Sequence, residues 1–278
     1  MLLVWARGTQ AARVVFEGFD VRLGPLVGTS GATGTGWQGP WEDGGNSFGS
    51  GQVVSGSLVR PVGTESFFPE PIGNSVFMQG LLGNLRGTAA DLAPTPSLWG
   101  SFLAQPTAGG FQEFFISFQL GGASNLQFTR FGLSDRWGVH NGASTLVDTG
   151  NSFADGVDAI VFELTLDGAS GANDVLRVWF DADPNTAPPT FTTSSVNFGA
   201  PGSSLLFGMR SSNNFGNSTL LFDELRVGTV LSDVAVVPEP ASVALLGSAL
   251  LAIGIATLGL VGRRGRRQGR WSTSFRRC

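Results

Sequence analysis

An all-β sandwich followed by one C-terminal membrane-spanning helix is the fold class this sequence predicts, and three observations predict it. Short apolar stretches with a period of two recur between Val53 and Val227. Glycine-rich turns separate them, and Gly supplies 41 of the 278 residues, about twice its usual share. An uncharged apolar run, Ala241 to Val261, stands apart near the C-terminus.

Taken in chain order, residues 1–12 read as the remnant of an N-terminal targeting region. The apolar run there, Leu2 to Ala6, is shorter than a secretory signal requires, so the signal is expected upstream of the given start. Residues 13–236 form the expected β-sandwich body. Val53-Val54, Ser57 to Arg60 and Ser75 to Met78 open its strand candidates. A helical turn is expected near Leu81 to Leu85. Phe114, Ile116, Phe118 and Leu120 share one face of a further strand, and Leu126 to Phe131 follows the turn at Gly121-Gly122. Val161 to Leu166 and Val175 to Phe180 alternate cleanly around a Gly-rich turn and predict a hairpin. Ala182 to Pro201 carries four prolines and reads as a long loop around one short strand. Leu205 to Met209 and Leu220 to Val227 close the series. Many short, evenly spaced strands imply a two-sheet sandwich or jelly roll.

Charge is unevenly placed. There is no Lys, and between Arg13 and Val237 the chain holds 20 acidic residues and nine arginines, a net of −11. An acidic body argues against nucleic acid as a partner, because phosphates need Lys and Arg. Cys278 is the only cysteine, which excludes an intrachain disulfide and a cysteine-based metal site. His140 is the only histidine. It sits in Asp135-Arg136-Trp137-Gly138-Val139-His140 on an expected strand or strand end, where a structural or surface role is expected.

The tail carries the strongest local signal. Pro238-Glu239-Pro240 precedes the span 241–261, which is long enough to cross the roughly 30 Å hydrocarbon core as a helix. Arg263, Arg264, Arg266 and Arg267 follow and read as a stop-transfer cluster, with the body outside and the basic tail 268–278 inside. The prolines hold the backbone extended and free of helix just outside the bilayer, which suits a protease site. These parts together resemble the PEP-CTERM sorting domain, spanning residues 237–267. The resemblance implies an exosortase-type membrane protease as partner. It also implies membrane anchoring before processing and delivery to the cell surface or extracellular matrix.

Two segments of the body carry a second resemblance. Phe16-Glu17-Gly18-Phe19-Asp20 lies near its start, followed by Gly34-Thr35-Gly36-Trp37-Gln38-Gly39-Pro40-Trp41. Phe222-Asp223-Glu224-Leu225-Arg226-Val227-Gly228-Thr229 lies near its end, with Ser232-Asp233-Val234 beyond. This pair resembles surface proteins that carry a concanavalin A-like, laminin-G-like jelly roll ahead of such a tail.

Candidate chemistry is sparse. Trp37 and Trp41 lie in a Gly-rich stretch and are candidates for sugar stacking, the alternative being that they plug the core. Asp181, Asp183 and Asn185 place oxygen side chains at alternate positions and form a weak calcium candidate, against a polar turn that ends a strand. Glycoside hydrolysis needs two carboxylates facing one sugar. No Glu-x-Asp-x-x-Glu pattern is present, and Asp223 and Glu224 are adjacent, so on a regular strand they face opposite ways. The expectation is therefore a non-enzymatic exported surface or matrix protein with no required cofactor, with an extracellular polysaccharide as a possible ligand. The alternative is a glycoside hydrolase of the concanavalin-like fold.

Overall fold

Alternating apolar residues must bury one face of every strand, and here they do so against a second sheet. The computed structural model describes residues 15–29, 36–37, 39–43, 51–79, 82–88, 97–106, 113–119, 125–141, 146–154, 156–167, 174–194, 196–198, 205–212 and 219–235. The chain divides into two compact units, Met1–Val237 and Pro238–Cys278, and every described residue lies in the first.

The strands are β1 (Val15–Glu17), β2 (Gly24–Pro25), β3 (Glu42–Asp43), β4 (Gln52–Val54), β5 (Ser75–Gln79), β6 (Leu82–Thr88), β7 (Ser97–Pro106) and β8 (Glu113–Gln119). They continue with β9 (Asn125–Arg130), β10 (Arg136–His140), β11 (Leu146–Ser152), β12 (Asp158–Thr165), β13 (Val175–Phe180), β14 (Phe191–Thr193), β15 (Leu205–Ser212) and β16 (Thr219–Gly228). A single helical turn, α1 (Leu231–Val234), follows. Sheet A runs β14-β13-β12-β7-β16-β5-β4-β2, with β1 added alongside β16, and sheet B runs β11-β10-β9-β8-β15-β6-β3. Neighbouring strands pair antiparallel, and the two sheets form a jelly-roll-like sandwich.

The core between the sheets is aromatic. Phe102, Phe162 and Phe222 of sheet A meet Phe118, Phe128 and Phe207 of sheet B, all six fully buried. Phe118 stands edge-on to Phe162 at 4.9 Å and to Phe207 at 5.3 Å, while Phe102 stacks on Phe222 at 5.4 Å. Edge-to-face contacts of this kind add about 0.5–1.5 kcal/mol per pair beyond the area buried. Gly100 makes room for one ring: a Cβ there would lie 2.2 Å from Phe162, its cross-strand partner.

The opening and closing motifs are strand neighbours. Phe16 pairs with Arg226, whose guanidinium lies 5.1 Å from the centroid of the Phe16 ring. Glu17 is buried and accepts from the Phe19 amide at 3.2 Å. At the far end, a Cβ on Gly228 would lie 2.2 Å from the Asp233 side chain. That close approach lets Asp233 Oδ2 accept from the amides of Thr229 and Val230 and tie α1 back onto β16.

Asp223 and Glu224 do not alternate as a regular strand requires. A bulge interrupts the pairing of β16 with β7 between Asp223 and Arg226, and Glu224 adopts φ 54°. Both carboxylates serve one segment, residues 57–72. Asp223 Oδ2 accepts from the Leu58 amide at 2.8 Å, and Glu224 Oε1 accepts from the Ile72 amide at 2.7 Å. The segment is thereby fastened near both ends across the outer face of sheet A. It packs Leu58, Phe67 and Phe68 on Leu103, Ala159, Val161 and Trp179, with Val234 and Ala235 of the C-terminal turn in the same cluster.

The hairpin of β12 and β13 lies as the sequence predicts, from Ile160 opposite Phe180 to Thr165 opposite Val175. Two expectations are corrected. Ser57 to Arg60 belongs to the roof of sheet A rather than to a strand, because its amides serve the β16 bulge instead of a ladder. The helical turn expected at Leu81 to Leu85 is replaced by β6, whose ladder to β15 runs from Leu82 opposite Ser211 to Thr88 opposite Leu205. Among the described residues no helix is long and apolar enough to cross a membrane, and the expected span 241–261 lies outside them.

Two predictions follow from the buried groups. Gly100→Ala is expected to lower stability by about 1–3 kcal/mol through overpacking against Phe162, read as a fall in the thermal midpoint without loss of the β signal in circular dichroism. Burial, reinforced by the neighbouring Glu224 charge, pushes the Asp223 carboxyl up to about 8 from its ordinary 3.8. The folded protein therefore holds a proton that the unfolded chain has already released. The contribution of this group to stability is greatest below about pH 4, declines as pH rises to about 8 and is level above. Asp223→Asn is expected to flatten that decline, measured as urea midpoints at pH 5 and pH 9.

Candidate functional site

The two sheets differ in what covers them. The outer face of sheet A is roofed by residues 57–72 and the C-terminal turn. On sheet B, Phe114, Ile116 and Phe118 of β8, Leu126 and Phe128 of β9, Trp137 and Val139 of β10, and Leu205, Phe207 and Met209 of β15 turn into the core. Their alternates necessarily stand on the other face. These are Phe115, Ser117 and Gln119, then Asn125, Gln127 and Thr129, then Gly138 and His140, and Leu206, Gly208 and Arg210. No described residue from outside the sheet is clustered over them as the roof is over sheet A.

Register lines these residues up across the sheet. Gly208 is opposite Ser117, Ser117 opposite Gln127, and Gln127 opposite His140. With strands about 4.8 Å apart, the row spans roughly 14 Å. The single histidine of the chain thus closes a row of hydrogen-bonding side chains, and its Nδ1 lies 3.2 Å from Gln127 Oε1. A second row runs from Arg210 through Phe115, Thr129 and Gly138 to Asp148. Asp148 is bonded to Arg136 at 2.7 Å, and Arg136 lies 5.7 Å from the ring centroid of Phe131. Leu146 leans over Gly138, where a Cβ would meet it at 2.8 Å. Arg210 is exposed, and Phe115, Gln127 and His140 are half-buried.

The residues singled out from sequence lie elsewhere. Trp41 is 1% exposed and packs against Phe19 and Phe207 in the core. Trp37 packs beside it at 6.1 Å and donates its indole N–H to the Phe16 carbonyl. Trp41 thus fills the core rather than offering an exposed stacking face, and Trp37 packs half-buried against it. Asp181 follows β13 at φ 50° and accepts from the Ala159 amide, and burial raises its carboxyl above the ordinary value against the pull of that hydrogen bond. Asp183 Oδ1 accepts from the backbone and side-chain amides of Asn185 at 2.8 Å each. Both aspartates thus accept from protein amides that build the turn. Among the described residues no group of three or more His, Cys, Asp or Glu side chains is gathered as for a metal. Pro238, Glu239, Pro240, Arg263, Arg264, Arg266 and Arg267 lie outside the described residues.

Sequence reasoning placed His140 on a strand but missed Ser117, Gln127 and Arg210. Part of the signal was there: Phe114, Ile116 and Phe118 share a face, so Phe115 and Ser117 must share the other.

No family model matches the chain, and no curated protein matches it. Solved structures similar in fold include the endo-β-1,4-glucuronan lyase of the fungus Trichoderma reesei. It is 12% identical with a TM-score of 0.47, over 77% of this chain and 97% of that one. An alginate lyase in complex with an alginate tetrasaccharide is 8% identical with a TM-score of 0.44, over 79% and 98%. The alginate lyase vAL-1 of a Chlorella virus is 8% identical with a TM-score of 0.38, over 56% and 84%. This finding overturns the expectation that the protein is not an enzyme, since these structures are of enzymes. That expectation rested on the lack of a linear carboxylate pattern, and a linear pattern does not register residues that only strand pairing brings together.

Proposed function

We propose that the body binds an extracellular polysaccharide along the outer face of sheet B and acts on it there. The observation that carries this reading is the asymmetry of the sandwich. Part of one sheet lies under an apolar roof, and the other carries Ser117, Gln127 and His140 in one row, Ser117 buried and the other two half-buried. Hydroxyl, amide and imidazole groups at strand spacing suit an extended chain of sugar hydroxyls, each of which donates and accepts hydrogen bonds. Two-carboxylate hydrolysis finds one carboxylate with a described side chain on this face, Asp148, already bonded to Arg136. Proton transfer is therefore assigned to His140, oriented by Gln127. The two-sheet architecture and the pairing of the opening with the closing motif support the concanavalin A-like assignment.

The same proposal includes export. The order Pro238-Glu239-Pro240, apolar span 241–261 and Arg cluster from Arg263 supports a PEP-CTERM-type sorting tail. In this reading the tail anchors the protein in the membrane until an exosortase-type protease removes it, and the body then reaches the cell surface or matrix.

His140→Ala in the full-length, detergent-solubilised protein is expected to reduce product release from a polysaccharide panel by about 100-fold or more, with binding kept within a few-fold. A wild-type protein that neither binds nor cleaves any member of the panel would falsify the reading. For the tail, a double change of Pro238→Ala and Glu239→Ala is expected to leave the protein uncleaved and membrane-bound in its native host. Intact-mass analysis of surface and membrane fractions checks this, and identical processing of variant and wild type counts against the sorting role.

A further inference from the structure

We infer that the polysaccharide carries negative charge, and that Arg210 is the residue that selects for it. This rests on the assignment of the outer face of sheet B as the binding face.

The body is strongly acidic, with 20 carboxylates against nine arginines between residues 13 and 237. Arg60, Arg130, Arg136, Arg177 and Arg226 each lie within 2.8 Å of a carboxylate oxygen. Among the arginines whose side chains are described, Arg22 and Arg210 have no described carboxylate in reach. Arg22 is in the connection after β1, whereas Arg210 stands on a sheet face, exposed, on a rigid central strand. Glu113, the first residue of β8, pairs with Ser212, one register step diagonal from Arg210.

The surroundings of Arg210 match a charged sugar better than a neutral one. Its cross-strand partner is Phe115, a half-buried aromatic able to take the apolar face of a pyranose. On its other side the partner is Gly83, which adds no side chain to the floor. Two residues along β15 lies Gly208, the start of the row that leads through Ser117 and Gln127 to His140. Neutral groups along the row bind hydroxyls. The guanidinium at its side offers a planar fork that grips a carboxylate or sulfate through two parallel hydrogen bonds.

The net charge of the body opposes a polyanion at a distance. At physiological ionic strength the Debye length is about 8 Å, so carboxylates farther than that from Arg210 are largely screened from it. The local cation then decides.

The test compares polymers that differ only in charge: polygalacturonate against its carboxyl-reduced form, and dextran sulfate against dextran, each titrated into the full-length protein in detergent. Binding of the charged member of a pair at least tenfold tighter than its neutral form is expected. Arg210→Ala should reduce that ratio to below threefold, Arg210→Lys should restore part of it, and Gln127→Ala should weaken both members alike. The first pair scores uronate carboxylates and the second scores sulfate esters, so the pair showing the preference identifies the anionic group. Equal affinity within both pairs, or a preference that survives Arg210→Ala in a folded variant, overturns the inference while leaving carbohydrate binding intact. Failure to bind all four polymers and every member of the wider panel overturns the binding face itself.

Discussion

Two adjacent carboxylates buried at a strand bulge, Asp223 and Glu224, set the layout of this protein. Burying an ionised carboxylate in an apolar interior is costly, so each must find donors or take up a proton. Glu224 does the first, accepting from the Ile72 amide and from Arg226. Asp223 does both, holding the Leu58 and Glu224 amides while its carboxyl is pushed up to about 8. The bulge is what turns both side chains toward one segment, at the cost of a non-glycine residue at φ 54°. The segment so fastened roofs sheet A, and β1 is locked against the same strand through Phe16 and Arg226.

The roof has a consequence for the other sheet. A sandwich in which both outer faces were bare would offer no reason to prefer one. Here apolar side chains on the outside of sheet A (Leu103, Ala159, Val161, Trp179) demand cover and receive it. The outside of sheet B carries Ser117, Asn125, Gln127 and His140 instead, of which Ser117 is buried and the other three are half-buried. Strand alternation separates the two faces within single strands, so Phe114, Ile116 and Phe118 build the core while Phe115 and Ser117 stand on the outer face. The aromatic core beneath gives that face its rigidity, since rings packed edge to face leave little freedom for the strands they belong to.

Much of this was legible in the sequence, for reasons that are local. The hairpin of β12 and β13 alternates without interruption, and its turn residues are unambiguous. β7 escaped notice although it is central to sheet A, because Gly100 and Pro106 weaken its strand pattern. Gly100 is there for a non-local reason, the ring of Phe162 on the neighbouring strand. The same holds for the site. Which face Ser117 occupies follows from its neighbours, but its position beside Gln127 and Gly208 depends on pairings with strands distant in the chain. Trp37 and Trp41 misled in the other direction. A glycine-rich context suggests exposure, yet these rings close the end of the core.

Charge distribution argues a final point about how such a face can be selective. In a protein with abundant carboxylates, an arginine is usually claimed by one of them, as five of the arginines here are. A guanidinium already paired has little to gain from a ligand anion, because binding would exchange one carboxylate for another. An arginine without such a partner keeps its full fork for the ligand. Position then matters more than number: on the proposed binding face, one cation held on an interior strand, beside an aromatic ring and a row of polar side chains, would discriminate between charged and neutral sugars without raising affinity for anions over the whole surface. The acidic remainder of the body strengthens that discrimination, since it disfavours polyanions wherever the arginine is absent.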